Sequence, residues 1–330
     1  RNPHWWGKPG AFKRIVIKVI PNTAALEANL LSGSIDMIGG ELGLSVDQAL
    51  RFEKRHGQKY RIQYKPGLIY EHIDLNQDNP LLQNRDIRHA LIWAIDRQAI
   101  SKQLFGGRQP VADSAVNPLD WVHADDITKY NYNPKKALEL IVKAGFTKIV
   151  QGIRHHKDTN APLRFEFMTT AGNKSRELVQ QVLQSQWKAV GIDVRIKNEP
   201  ARVFFGQTVT QRKFTGLAMY AWLSAPESVP RGTLHSAHIP TQANGWAGQN
   251  YPGFKNAEMD TLIDRIEVEL DKPKRKALWR RLQEIYVTEL PVIPLYFRAE
   301  AYIMPKWLNG VAPTGHQYPT SLWVENWGAN

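Results

Sequence analysis

Residues 73–107 read IDLNQDNPLLQNRDIRHALIWAIDRQAISKQLFGG, and their pattern decides the fold class. The opening IDLN closes a longer run of strand material, YRIQYKPGLIYEHIDLN at 60–76. After the turn-formers, Ile87, Ala90, Leu91, Ala94 and Ile95 recur at three- and four-residue steps, so one stripe of a helix faces a core. Gly106 and Gly107 end that helix, which the spacing predicts as one long element from Asp86 onward. A strand feeding a helix of this kind points to an α/β protein.

The same alternation continues on either side. Upstream, RIVIKVIP at 14–21 alternates Ile15, Ile17 and Val19 with Val16, Lys18 and Ile20, and predicts a strand buried on most of its surface. NTAALEANLLSG then offers Asn22 or Thr23 as N-cap, Leu26, Leu30 and Leu31 as one face, and Gly33 as the stop. SIDMI reads as a short strand completing a βαβ unit, and LSVDQALRFEKRHG as a second helix. Downstream, a loop runs from Gly107 to about Asn131, and YNPKKALELIVKAGF has Asn133 as N-cap and Pro134 at the first helical position. LRFEFMTT, NKSRELVQQVLQSQWKAVG and IDVRIKNE read as strand, helix and strand with short connections, which requires a right-handed parallel crossover. A helix is expected over ARVFFGQTVTQ, a strand over GLAMYAW, helices over NAEMDTLIDRIEVEL and KRKALWRRLQEIYVTEL, and a closing strand pair over PVIPLYFRAEAYIMP. The stretch from Leu223 to Gly253 has little periodicity, and loops of that length in a compact domain are usually functional or mobile.

At 330 residues the chain exceeds one hydrophobic core, so two lobes are expected. No segment approaches the roughly 18 uninterrupted apolar residues of a membrane span. The sequence has no Cys, which excludes disulfides, thiolate metal sites and Cys nucleophiles and is compatible with an oxidising compartment. The net charge of +12 raises the possibility of a nucleic-acid partner. Its tightest basic cluster, DKPKRKALWRR at 271–281, instead reads as the solvated face of a helix.

Catalytic motifs are scarce. There is no Walker-type phosphate loop, GxGxxG, GxSxG or HExxH. His235 and His238 in HSAH, and the pair His155 and His156, have no third ligand beside them in sequence and read as loop surface. What the long loop offers is recognition chemistry. Tyr220 and Trp222 stand at the end of a strand, and ANGWAGQN adds Trp246 with Asn244, Gln249 and Asn250, a combination suited to a wet pocket for a polar ligand. Core packing accounts for Trp222 and Trp246 equally well.

Several segments together resemble the periplasmic peptide-binding proteins of ABC transporters, the dipeptide, oligopeptide and nickel family of solute-binding proteins. LSGSIDMI is similar to one landmark of that family. Within 73–107, Asn76, Arg85, Arg88, Ala90, Ala94, Ile95, Asp96 and Arg97 fall in place, and YNPKKALELIVKAGF, NYPGFKNAEMDTLID and ELPVIPLYFRAE match later landmarks in order. The resemblance implies a two-lobed α/β fold of the type II periplasmic-binding-protein kind, closing on a solute and presenting it to a membrane permease. It implies a binding protein rather than an enzyme, periplasmic or otherwise extracytoplasmic, with no cofactor, no metal site, no nucleic-acid partner and no membrane span of its own; membrane association would come through an N-terminal part. It also places residues 1–69 and 298–330 in an incomplete lobe I and 70–297 in lobe II, because RNPHWWGKPG at 1–10 corresponds to a point well inside longer family members. His4, Trp5 and Trp6 are then expected to pack on lobe-I surface.

One departure concerns the ligand. Where peptide binders place an aspartate three residues after the tryptophan, to pair with the ligand's α-amino group, this chain has Ala225 after Trp222, or Ser224 in a shifted register. The nearest acid is Glu227. The ligand-binding residues expected are therefore Tyr70 and His72 at the crossover, Thr169 and Thr170 at a strand's carboxyl end, and Tyr220, Trp222, Ser224 and Glu227 on the loop, with Glu227 facing a cationic group and the ligand a peptide, a peptide-like molecule or another polar solute. The alternatives are a carbohydrate hydrolase using paired carboxylates and a nucleic-acid binder driven by basic charge.

Overall fold

The computed structural model describes residues 2–40, 42–316 and 320–329. The chain divides into two compact units, one made of Arg1–Ile69, Ser101–Pro110 and Phe297–Asn330, the other of Tyr70–Ile100 and Val111–Tyr296. Two long strands, β1 (Tyr60–Leu75) and β7 (Val292–Pro305), run across the 69/70 and 296/297 boundaries between these units, and the chain also passes between them at 100/101 and 110/111.

The larger unit is organised by a sheet in the order β5-β4-β6-β1-β7, where β4 is Arg164–Met168, β5 Asp193–Ile196 and β6 Leu217–Leu223. A short hairpin of β2 (Lys148–Val150) and β3 (Ile153–His155) stands apart from it. The alternation read from LRFEFMTT holds: Leu163, Phe165 and Phe167 are buried. Strand β4 pairs in parallel with β5, from Arg164 opposite Asp193 to Phe167 opposite Ile196, and in parallel with β6. The helix Lys174–Ala189 makes the predicted crossover, starting at Asn173, whose side chain accepts from Arg176 N, and burying Val179, Leu183 and Trp187. Its Trp187 indole donates to the carbonyl of Leu91 at 2.9 Å. Gly216 lets β6 begin against β4, since a Cβ there would collide with the carbonyl oxygen of Glu166.

The decisive stretch folds as two helices rather than one, Arg85–Trp93 and Arg97–Phe105. The apolar stripe persists, but the helix itself breaks at Asp96: its carboxylate accepts from Ala99 N at 2.8 Å and starts a new helix. The two arginines explain why this corner is fixed. Arg88 is buried and donates Nη1 to the carbonyls of Leu82 (2.8 Å) and Gln83 (2.9 Å), and Nε and Nη2 to that of Glu289 (3.0 and 2.7 Å). It thereby satisfies the end of the helix Lys272–Glu289, whose cap Leu290 adopts a left-handed conformation at φ 49°. Arg97, also buried, donates to Ala112, Pro294 and Tyr130 carbonyls.

In the smaller unit the helices Thr23–Leu31, capped by Asn22, and Val46–His56 pack Leu30, Ala49 and Phe52 with Ile38, Leu44, Ala301 and Ile303. Three expectations are corrected here. The RIVIKVIP stretch forms no strand: Ile15, Val16, Ile17 and Val19 are exposed, Val19 at 96%, because alternating apolar residues make a strand only where a neighbouring strand pairs with them and none of the described residues does. SIDMI contributes a single antiparallel bridge, Ile38 to Ile303, rather than a strand. The closing stretch is one continuous strand, β7, since no turn interrupts it. The Trp5 and Trp6 rings lie 5.1 Å apart, tilted at 35°, but both are exposed, Trp6 at 89%, and His4 is exposed as well. In the larger unit, the helix expected over ARVFFGQTVTQ is a single turn, Ala201–Val203, running into a π-helix, Phe204–Thr208.

Removing the Arg88 fork leaves the buried carbonyl of Leu82 and the partly buried carbonyl of Glu289 without this donor. Arg88→Ala is expected to destabilise the larger unit by about 3 kcal/mol, read as a lower denaturant midpoint in chemical unfolding.

Candidate ligand-binding site

The site is built on the second half of β1, where Tyr70–Leu75 are all buried. Side chains alternate across a strand, so Tyr70, His72 and Asp74 share one face and Glu71 points to the other. On the first face the Tyr70 and His72 rings stack at 5.1 Å, and the His72 ring meets Tyr220 of β6 edge-on at 4.5 Å. The Asp74 carboxylate accepts the Tyr220 hydroxyl, and its other oxygen lies 3.4 Å from His72 Nε2. The Tyr70 and Tyr286 hydroxyls are hydrogen-bonded at 2.8 Å. On the opposite face Glu71 pairs with Arg176 Nε at 2.5 Å, and Arg176 Nη1 donates to Thr170 Oγ1 at 3.1 Å. Thr169 donates its hydroxyl to the carbonyl of Met219 at 2.8 Å, tying β4 to β6.

Tyr220 is the hub of an aromatic cluster. Besides His72 it contacts Phe204, Phe205 at 5.8 Å, Trp222 at 5.7 Å and Tyr251. Trp222 is half-buried and lies nearly parallel to Tyr251, with centroids 6.3 Å apart and planes 22° apart. The loop beyond β6 is fastened at Glu227. Its carboxylate accepts the Trp121 indole N–H at 2.6 Å and lies 3.1 Å from Arg275 Nε, while its own N–H donates to Asp120 at 2.6 Å. Glu227 holds φ 53°, a left-handed conformation that a non-glycine residue keeps only when such contacts fix it. Ser224, Ala225 and Ser228 line, together with Trp279 and Gln283, a cavity of about 40 Å³.

The expected residues thus fall into three groups. Tyr70, His72, Tyr220 and Trp222 form one connected set, of which Trp222 alone is not buried. Thr169 and Thr170 lie buried at the end of β4, engaged with protein partners. Ser224 and Glu227 belong to the fastened loop. Asp74, Tyr251, Phe205, Trp121 and Arg275 complete these arrangements and were missed; only Asp74 carried a signal, continuing the two-residue step from Tyr70 to His72. The amides expected in the pocket serve the loop itself, Asn244 donating to Ile239 and Asn250 to His235 and Phe254. His235 lies 3.9 Å from Asp260 and 3.6 Å from Asp264, and among the described residues no group of three His, Asp or Glu is arranged to hold a metal ion.

Residues 1–239 match the sequence profile described as bacterial extracellular solute-binding proteins, family 5 Middle, and the chain belongs to that family. It is 27% identical over 307 residues to the oligopeptide-binding protein AppA of Bacillus subtilis, covering 90% of this chain and 52% of that protein. It is 24% identical over 323 residues to the nickel-binding periplasmic protein of Escherichia coli, covering 97% and 60%. Among solved structures, the oligopeptide-binding protein of Thermus thermophilus, complexed with a pentapeptide, superposes with a TM-score of 0.78 at 31% identity over 94% of this chain and 55% of that one. The fold is therefore the α/β fold of type II periplasmic binding proteins, and the chain spans about half the length of the curated relatives it matches.

The buried phenols make the larger unit sensitive to alkali. Burial, then the neighbouring Asp74, raises the Tyr220 pKa well above its ordinary 10.0; burial and Tyr286 do the same for Tyr70; burial pushes Tyr130 up to about 12. A phenol whose folded pKa is raised contributes stability that is intact below 10.0 and lost as pH climbs toward the folded values. Denaturant stability is expected to fall progressively above pH 10.0, with phenolate absorbance of these tyrosines rising together with unfolding rather than before it. Titration of all eleven tyrosines in the folded state near the ordinary value would contradict this burial.

Proposed function

We propose that this chain is part of an extracytoplasmic solute-binding component of an ABC importer that takes up peptides or peptide-like solutes and delivers them to a membrane permease. The profile match over residues 1–239 carries the reading. The relatives named above, an oligopeptide binder and a nickel binder, support a ligand class of peptides or other small solutes. The smaller unit would belong to lobe I and the larger to lobe II. Trp222 and Ser224 would meet solute directly, while Tyr70, His72, Thr169, Thr170 and Tyr220, all buried, would hold the surface they stand on.

Two observations weigh against the alternatives. The basic helix that a nucleic-acid reading would use has its arginines matched by acids: Arg275 with Glu227, Arg280 with Asp126 at 2.8 Å, and Arg281 with Glu258 at 2.7 Å. The carboxylates near β6 are likewise engaged by Tyr220, Trp121 and Arg275 rather than paired across an open surface as hydrolysis needs. Among the described residues no helix is long and apolar enough to cross a membrane.

Calorimetric titration with a panel of short peptides is expected to show saturable binding that Trp222→Ala weakens about tenfold, the loss of one well-packed aromatic contact. Turnover of a chromogenic glycoside, abolished by replacing one acid, would contradict the reading, as would the absence of saturable binding across the panel.

A further inference from the structure

We infer that the solute group held at the end of β6 is a flat aromatic or apolar one and that binding does not require a free amine. This rests on the solute-binding reading and narrows its ligand class. The first observation is the π-helix Phe204–Thr208. Its wider turn, seen in the bond from Val209 N to the Phe204 carbonyl at 2.9 Å, leaves two consecutive phenylalanines in different surroundings. Phe204 is fully buried in the cluster around Tyr220, whereas Phe205 contacts the same Tyr220 ring at 5.8 Å yet remains 39% exposed. With half-buried Trp222 also packed edge-on against Tyr220, two rings that retain solvent contact stand on one buried hub. Such a platform favours edge-on or offset packing of a further ring.

The second observation is where the negative charge goes. Asp74 accepts the Tyr220 hydroxyl, and Glu199 accepts that of Thr208 at 2.6 Å. Glu227, the acid nearest in sequence to the position where an amine partner was sought, is held by Trp121 and Arg275 and fixes its loop in a left-handed turn. One of these contacts engages each oxygen of its carboxylate. Glu227 is therefore a positioning residue, and recognition falls to the rings.

The test compares pentapeptides that differ at one position, Phe against Ala, each with a free and an acetylated N-terminus, by calorimetry on this chain. The Phe peptide is expected to bind several-fold to tenfold tighter than the Ala peptide, and acetylation to change affinity less than twofold. Phe205→Ala should erase the Phe preference while Phe205→Leu retains part of it; Glu227→Gln should leave the preference and the indifference to acetylation in place. Equal binding of Phe and Ala peptides, or a loss of tenfold or more on acetylation, overturns the inference and leaves the solute-binding reading standing. If none of the four peptides binds, both fall.

Discussion

The hydrogen bond between Asp74 and Tyr220 is the constraint on which the larger unit's site depends. A carboxylate buried inside a sheet is tolerated only when its acceptor capacity is used, and leaving it unmatched costs about 2 kcal/mol or more. Here the Tyr220 hydroxyl meets that demand, and in doing so fixes the ring against which Phe204, Phe205, Trp222, Tyr251 and His72 pack. The opposite face of the same strand repeats the device with Glu71, Arg176 and Thr170. Strand β1 thus carries polar groups on both faces, each matched by a different element: β6 on one side, the helix Lys174–Ala189 on the other. Two buried carboxylates matched in this way specify the placement of their neighbours, which is what an aromatic surface needs to keep a fixed shape.

Much of this was legible in the sequence, for physical reasons that differ from element to element. The parallel crossover through LRFEFMTT and IDVRIKNE was readable because both strands alternate cleanly and Asn173 and Gly191 bracket the helix between them. The helix caps at Asn22 and Asn133 were readable because Asn competes for the first free amides of a helix and does so locally. The break at Asp96 was not, because the apolar stripe runs through it unbroken and one side-chain hydrogen bond decides it. RIVIKVIP failed for the opposite reason: its pattern is that of a strand, yet pattern supplies no partner. The π turn at Phe204 follows from the packing of two adjacent aromatics, which no period encodes.

The site shows the same division. Tyr220 and Trp222 were found from their place at the end of a strand, and they do form one cluster with Tyr70 and His72. Thr169 and Thr170 were chosen by the rule that ligands sit beyond the carboxyl ends of strands, and the structure shows both already bonded within the protein. Glu227 was chosen as the nearest acid. Its role depends on Trp121 and Arg275, one far before it and one well after it in the chain, a juxtaposition that only folding creates. The basic cluster at 271–281, which the sequence reads as a solvated helix face, has its three arginines matched by acids brought from elsewhere.

A double-mutant cycle on Asp74 and Tyr220, using Asp74→Asn, Tyr220→Phe and the pair, tests the central claim most directly. If the buried bond organises this surface, the two substitutions are coupled by about 1 to 3 kcal/mol in unfolding free energy, the double mutant being less damaged than the sum of the singles. Additive effects of the two substitutions would show that the aromatic cluster stands without it.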